Sequence, residues 1–226
     1  MLTENGRLRA AINLGNPVLA QRNPNGTLCG VAVALARALA DQHGLTLDLV
    51  PFDGAGKVVD AAAGDIWDVA FLAIDPKRAT EIAFTEPYLT IEGVFVVPAP
   101  SPFRSVQDID RQGVRVSVGR GAAYDLHLTR TLKHAELVRV PTSAEALPHF
   151  LSQDLEAGAG IRQPAEVFVA RNPGARLIYE PFMEIRQAMA VPIAKAGTLS
   201  IVQSFTESTI SSGFIAEQMS KADGIV

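Results

Sequence analysis

Short apolar runs bounded by turn residues alternate along this chain with longer stretches whose apolar positions fall three and four apart. Residues 7–14, RLRAAINL, predict a first strand ended by Gly15-Asn16-Pro17. Asn23-Pro24-Asn25-Gly26 is a turn signal, and Thr27 stands where it can cap a helix running to about His43. Leu28, Val31, Leu35 and Leu39 share one face of that helix, and Gly44 fits just past its end. Residues 45–50 predict a second strand, and 54–64 a short helix with Val58, Val59 and Ala62 inward. The run 69–72 is a short, wholly apolar strand of the kind buried in a parallel sheet. Pro76 sits at a helix-start position, with Lys77-Arg78 in the loop or first turn that follows. Residues 82–85 form another short strand, Glu86-Pro87-Tyr88 breaks it, and 90–97 is an extended, β-branched run. The order β-α-β-α-β is that of a parallel α/β unit.

A second such unit begins after the Pro-rich PAPSPF segment at 98–103. It holds a helical turn at 105–109 and a strand at 113–118, then Gly119-Arg120-Gly121 and a helix at 122–132. A strand at 137–140 and a helix at 143–151, capped by Thr142 or Ser143, come next. An Ala/Gly-rich extended piece at 155–161, a helix at 164–170 and a strand at 176–179 complete it. Residues 187–193 are again extended; a long amphipathic helix at 197–212 and a last helical piece at 214–219 follow. Two α/β units are therefore expected, joined by the extended runs 90–97 and 187–193. If both runs are crossings, lobe 1 is 1–95 plus 190–226 and lobe 2 is 96–189. A cleft between lobes is the default ligand site, and two crossings make a natural hinge.

Composition narrows the function classes. With 226 residues the chain has room for two lobes, and 48% hydrophobic with 19% charged residues is globular composition. A net charge of −4 without runs of one sign gives no nucleic-acid groove and no basic membrane patch. One cysteine, Cys29, excludes an internal disulfide and predicts a buried helix thiol. No apolar run reaches the roughly 18 residues that span a bilayer. Met1 is followed by LTENGRLRA, which lacks the hydrophobic core of a signal peptide. This points either to the cytoplasm or to a targeting segment that has been removed. His43, His127, His134 and His149 are dispersed and none has metal-ligand spacing; no metal and no cofactor are expected. GxSxG is absent, and Gly119-Arg120-Gly121 is too short for a dinucleotide or phosphate loop.

Arg78 carries the candidate chemistry. A guanidinium just after a strand end, beside an exposed aromatic at Tyr88, can grip a carboxylate with two parallel hydrogen bonds; the bland alternative is a solvated surface charge. A helix starting at Ala122-Ala123, directly after a glycine turn, offers free N–H groups to an anion, or is an ordinary strand-to-helix turn.

The spacing of Asp68, Arg78, Phe84, Pro87 and Tyr88 resembles the signature of bacterial type 2 periplasmic solute-binding proteins, in their polar amino acid-binding ABC-transporter branch. NPNGTLCGVAVALARALA is similar to that family's first helix, GVRVSVGRGAAYD to its second-lobe strand and glycine turn, and SGFIAEQMSK to its C-terminal helix. The resemblance implies a two-lobed, type 2 periplasmic-binding-protein-like α/β fold, each lobe a mostly parallel sheet flanked by helices, joined by a two-strand hinge. It implies a monomer that binds a small carboxylate-bearing solute, an amino acid or related organic acid, in the interlobe cleft and delivers it from the periplasm to an ABC permease. In that reading Arg78 holds the ligand carboxylate, Ala123 donates its N–H to it, and Gly121 and Ala122 shape the turn. Asn13 and Asn16 line the cleft or are plain turn asparagines, Phe52 covers the ligand or is a core residue, and Ala73 supplies a backbone group. Tyr88 and Glu92 flank the first crossing, as ligand contacts or as a structural pair.

The chain departs from the family at informative places. The loop from Asp68 to Arg78 is about two residues short, with Ala73-Ile74-Asp75 where hydroxyls are usual. Amino acid binders place an Asp near 161–162 to pair with the ligand ammonium; here stand Ile161 and Arg162. A buried ammonium needs a carboxylate partner, and Asp75, Glu92 or Glu166 would have to replace it. If Arg162 faces the ligand rather than solvent, a second anionic group becomes plausible. Two alternatives stay open: a dehydratase-like enzyme with Glu92 or Glu166 as general acid, and an orphan or cytoplasmic sensor module.

Overall fold

The computed structural model describes residues 2, 3 and 5–223. They form two compact units, Met1–Leu89 with Arg186–Val226, and Thr90–Ile185.

The first unit is built on β1 (Arg7–Asn13), β4 (Thr46–Phe52), β5 (Val69–Ala73) and the end of β10 (Ala175–Pro192), in the strand order β4-β1-β5-β10. β1 runs parallel to both neighbours, and β10 is antiparallel to β5. The period-2 alternation of these strands decides what each face buries. Leu8, Ala10 and Ile12 of β1, Val69 and Phe71 of β5, and Met189 and Val191 of β10 enter one core. It is filled from the other side by Val31, Leu35 and Leu39 of α1 (Val31–Gln42) and by Val202 and Phe205 of α6 (Leu199–Ser211). Ile215 of α7 (Phe214–Asp223) joins them. The intervening Ala11, Ala70, Leu72 and Ala190 face Val58 of α2 (Ala55–Asp60) and Trp67. Both faces are covered, so β5 is a continuous apolar run instead of an alternating one.

The second unit orders its strands β6-β9-β7-β8, from β6 (Ile82–Pro98), β9 (Ala157–Ile161), β7 (Arg115–Gly119) and β8 (Glu136–Val140). β7 is parallel to β8 and β9, and β6 is antiparallel to β9. α3 (Ala123–Thr131), α4 (Ser143–Ser152) and α5 (Arg162–Arg171) each follow one parallel strand. Val94 and Val96 of β6 pack with Leu147 and Phe150 of α4 and Ala165 of α5.

Several elements differ from expectation. α1 begins at Val31, not at Thr27, because Gln21–Arg22 (β2) and Leu28–Cys29 (β3) pair as a small hairpin. Gly30 explains the delay: its φ is 107°, and a Cβ there would stand 2.5 Å from the Leu19 carbonyl oxygen. That is a backbone turn an L side chain resists. Cys29 is consequently a half-buried strand residue, not a buried helix thiol. The expected strands 82–85 and 90–97 are one 17-residue strand, and 176–179 and 187–193 merge into one of 18 residues. Pro87 sits inside the first of them without ending it. Thr142 precedes α4 but makes no capping bond to the helix backbone; its hydroxyl donates to Glu145 instead. Among the described residues no helix is long and apolar enough to cross a membrane.

Candidate functional site

Within the first unit the parallel register sets Asn13 of β1 opposite Phe52 of β4. β1 and β5 run side by side, so Ala73 ends its strand on the same rim. In open parallel α/β sheets the region beyond the carboxyl ends of the strands is where ligands bind. Arg78 lies five residues past Ala73, in a short 3-10 turn at Arg78–Thr80, and reaches back: its Nη1 donates to the Ala73 carbonyl at 2.9 Å. Arg78 is only 3% exposed, which excludes the solvated surface charge. Burial lowers its pKa to about 10, partly opposed by the nearby Asp75 carboxylate. Asp75 is itself buried, and its carboxylate accepts the Lys77 N–H at 2.8 Å. Asn13 and Asn16 are buried; their side-chain oxygens accept the N–H groups of Gly15 and Val18, which gives them turn-holding roles. Phe52 is half-buried and packs against the α2-side core. Tyr88 is buried in the α1-side core, so it is not the exposed aromatic expected beside Arg78. Its burial pushes the phenol pKa up.

Asp68, at the opposite end of β5, belongs to a structural clamp. It accepts Nη2 of Arg9 at 2.8 Å and Nζ of Lys195 at 2.5 Å. Burial pushes its carboxyl up, yet the bonds from Arg9 and Lys195 prevail and hold it below its ordinary value.

In the second unit the same strand-end rule gathers the starts of α3, α4 and α5 past the ends of β7, β8 and β9. None of the three has a side-chain cap, so their first N–H groups are not taken by capping side chains. Gly121, with φ 71°, turns the chain, and its N–H donates to the buried Asp125 carboxylate at 2.8 Å. Asp125 also accepts Nε of Arg139 at 2.9 Å, so the turn carrying Ala122 and Ala123 is fixed from below. Gly119 lets β7 touch the start of α4: a Cβ there would lie 2.6 Å from the Ser143 Cα. Ser143, expected only as the start or cap of α4, also stands on this strand-end rim.

Glu92 and Arg162 are brought together. Arg162 Nε donates to the Glu92 carboxylate, its Nη2 donates to the Tyr179 carbonyl at 2.7 Å, and Glu166 lies 3.9 Å away. Arg162 is therefore neither a solvated charge nor an open cation.

The sequence model of the bacterial extracellular solute-binding proteins, family 3, matches residues 8–222. The chain belongs to that family. Its fold is the two-lobed, type 2 α/β architecture with a two-strand connection, shared with solved structures at low identity. A mutant of ArgBP from T. maritima superposes with a TM-score of 0.82 at 22% identity, covering 97% of this chain and 96% of that one. A putative ABC-transporter binding component from Wolinella succinogenes, complexed with lysine, gives 0.83 at 20%, with 96% of each chain covered. An ancestral amino acid-binding protein described as a precursor of cyclohexadienyl dehydratase gives 0.80 at 20%, covering 96% and 95%. No curated protein matches the chain. Among the described residues no cluster of His, Cys, Asp or Glu is suited to hold a metal ion.

Proposed function

We propose that this protein captures a small carboxylate-bearing solute for an ABC uptake system, outside the cytoplasmic membrane, and passes it to a membrane permease. Membership of an extracellular solute-binding family supports the role, and solved relatives in complex with arginine and lysine support a ligand that carries a carboxylate. The observation that carries the reading is the buried Arg78 guanidinium at the carboxyl end of β5. A cation held out of water is costly, and an anionic ligand offsets that cost. The uncapped start of α3 at Ala123 is proposed as an anion-binding donor of the second unit.

The ligand's amine is not provided for in the usual way. Arg162 stands where amino acid binders place an acid, and of the three possible replacements Glu92 is tied to Arg162 with Glu166 beside it. We take the ligand class to be carboxylates at large, with standard amino acids as one arm of the test. Glu92 held in that pair also favours binding over turnover, because a general acid has to be free to deliver its proton.

A thermal-shift screen of monocarboxylates, dicarboxylates and amino acids tests the proposal, since a ligand that binds the folded state raises the melting temperature by mass action. At least one carboxylate is expected to stabilise the protein, and to fail with Arg78→Ala. A hit that stabilises Arg78→Ala as well as the natural protein refutes the role of Arg78.

A further inference from the structure

The first unit contains a cavity of about 310 Å³ that shares no lining residue with the surroundings of Arg78. Three segments make it: the chain after β1, the β2–β3 hairpin with the start of α1, and the last turns of α7. Its apolar wall comes from Val18, Leu28 and Val33. Arg37 and Lys221 supply its charge, and among the described residues no aspartate or glutamate lines it, although the whole chain is net negative at −4. Lys221 pairs with Glu217 at 2.6 Å, but both side chains are 61% exposed and such a pair holds weakly. Arg37 is exposed at the rim.

We infer that this cavity is a second small-molecule site, taking a small amphipathic anion: an apolar body against the α1–hairpin wall and an anionic head between Arg37 and Lys221. The volume is at the small end of ligand pockets. Apolar lining rewards burial of a hydrocarbon tail, and the two lining cations, with no acid among the described lining residues, select the sign of the head. Each segment follows from a sequence feature described above. Gly30 ends the hairpin and starts α1 late, which leaves Leu28 and Cys29 beside the helix instead of within it. α7 then brings Lys221 to the other side.

Cys29, the only cysteine in the chain, lines the cavity and is half-buried. It gives a single-site readout. The experiment measures the rate at which iodoacetamide, a neutral reagent, alkylates Cys29, with octanoate as probe and octan-1-ol as its uncharged counterpart. Octanoate at about ten times its Kd is expected to slow alkylation about tenfold by mass action. Octan-1-ol is expected to protect far less. Arg37→Glu, an exposed change, is expected to abolish the protection with the circular dichroism spectrum unchanged, and Arg78→Ala to retain it. Alkylation unaffected by octanoate up to its solubility limit overturns the inference. So does protection that is lost in Arg78→Ala but kept in Arg37→Glu, which would assign octanoate to the Arg78 site. Equal protection by octan-1-ol would overturn the selection for an anion.

Discussion

Replacing Arg78 with methionine removes the charge and keeps most of the side-chain volume. Two costs oppose each other in the ligand-free protein. Burial lowers the Arg78 pKa from its ordinary value to about 10 against the opposing charge of Asp75, a net cost of about 3 kcal/mol at about 1.36 kcal/mol per unit. The folded pKa is the depressed one, so this cost is fully present below pH 10 and is relieved only as the pH rises past it. Methionine removes the cost. It also takes a donor from the Ala73 carbonyl, a loss of about 1–3 kcal/mol. The unliganded melting temperature should therefore move little, by about 4 °C or less for a chain this long. Ligand binding behaves differently. Two charge-assisted hydrogen bonds disappear, each worth about 1.5–3 kcal/mol, so affinity should fall by at least a hundredfold, on the order of 3 kcal/mol. Differential scanning fluorimetry with the best carboxylate reads both quantities. At a concentration about 100 times its Kd the natural protein gains about 2.7 kcal/mol, and Arg78→Met should gain no more than about 0.4 kcal/mol at that concentration. A variant that keeps the full ligand-induced shift would refute the reasoning. A collapse of the unliganded protein would show Arg78 to be a structural prop.

Other expectations concern the scaffold. Asp68 and Asp65 are held below their ordinary values, Asp65 at about 2. Their stabilisation is present above the unfolded pKa near 4 and is lost as the pH falls through the folded values. Asp68→Asn should destabilise the protein at pH 7 and flatten the dependence of its melting temperature on pH between about 4 and 2; an unchanged slope would remove the clamp from the account. Gly119→Ala forces a Cβ onto the Ser143 backbone and should cost about 1–3 kcal/mol in chemical denaturation; a neutral result would show that the start of α4 can shift freely. The sole tryptophan, Trp67, is fully buried and donates Nε1–H to the Val58 carbonyl at 3.1 Å. Trp67→Phe should cost about 1–3 kcal/mol through the orphaned carbonyl and the lost volume, while stability within about 0.5 kcal/mol would contradict that packing.

Much of the architecture was legible because it depends on period and punctuation. The wholly apolar run at 69–72 marked a strand covered on both faces, and that is how Val69 and Phe71 divide from Ala70 and Leu72. The helix starts after Gly121 and around Ser143 were legible for the same reason. What escaped depends on partners distant in sequence. Pro87 breaks a strand in isolation, but here a long strand continues through it. Thr27 has the chemistry of a helix cap, yet hairpin pairing of Leu28 and Cys29 takes precedence and Gly30 begins the helix. At the candidate site, the position of Arg78 after a strand end could be read from spacing. Its burial could not, because burial is set by how the turn folds back onto Ala73. Nor could the pairing of Arg162 with Glu92, 70 residues apart, which turns two separate ligand candidates into one ion pair.

Arg78 is proposed to receive a ligand carboxylate. A crystal structure of the protein with the strongest carboxylate from the screen tests this most directly. Both carboxylate oxygens should lie about 2.7–2.9 Å from Arg78 nitrogens, as in a bidentate pair. A well-ordered ligand whose carboxylate rests on other groups, with Arg78 contacting only protein, would contradict it.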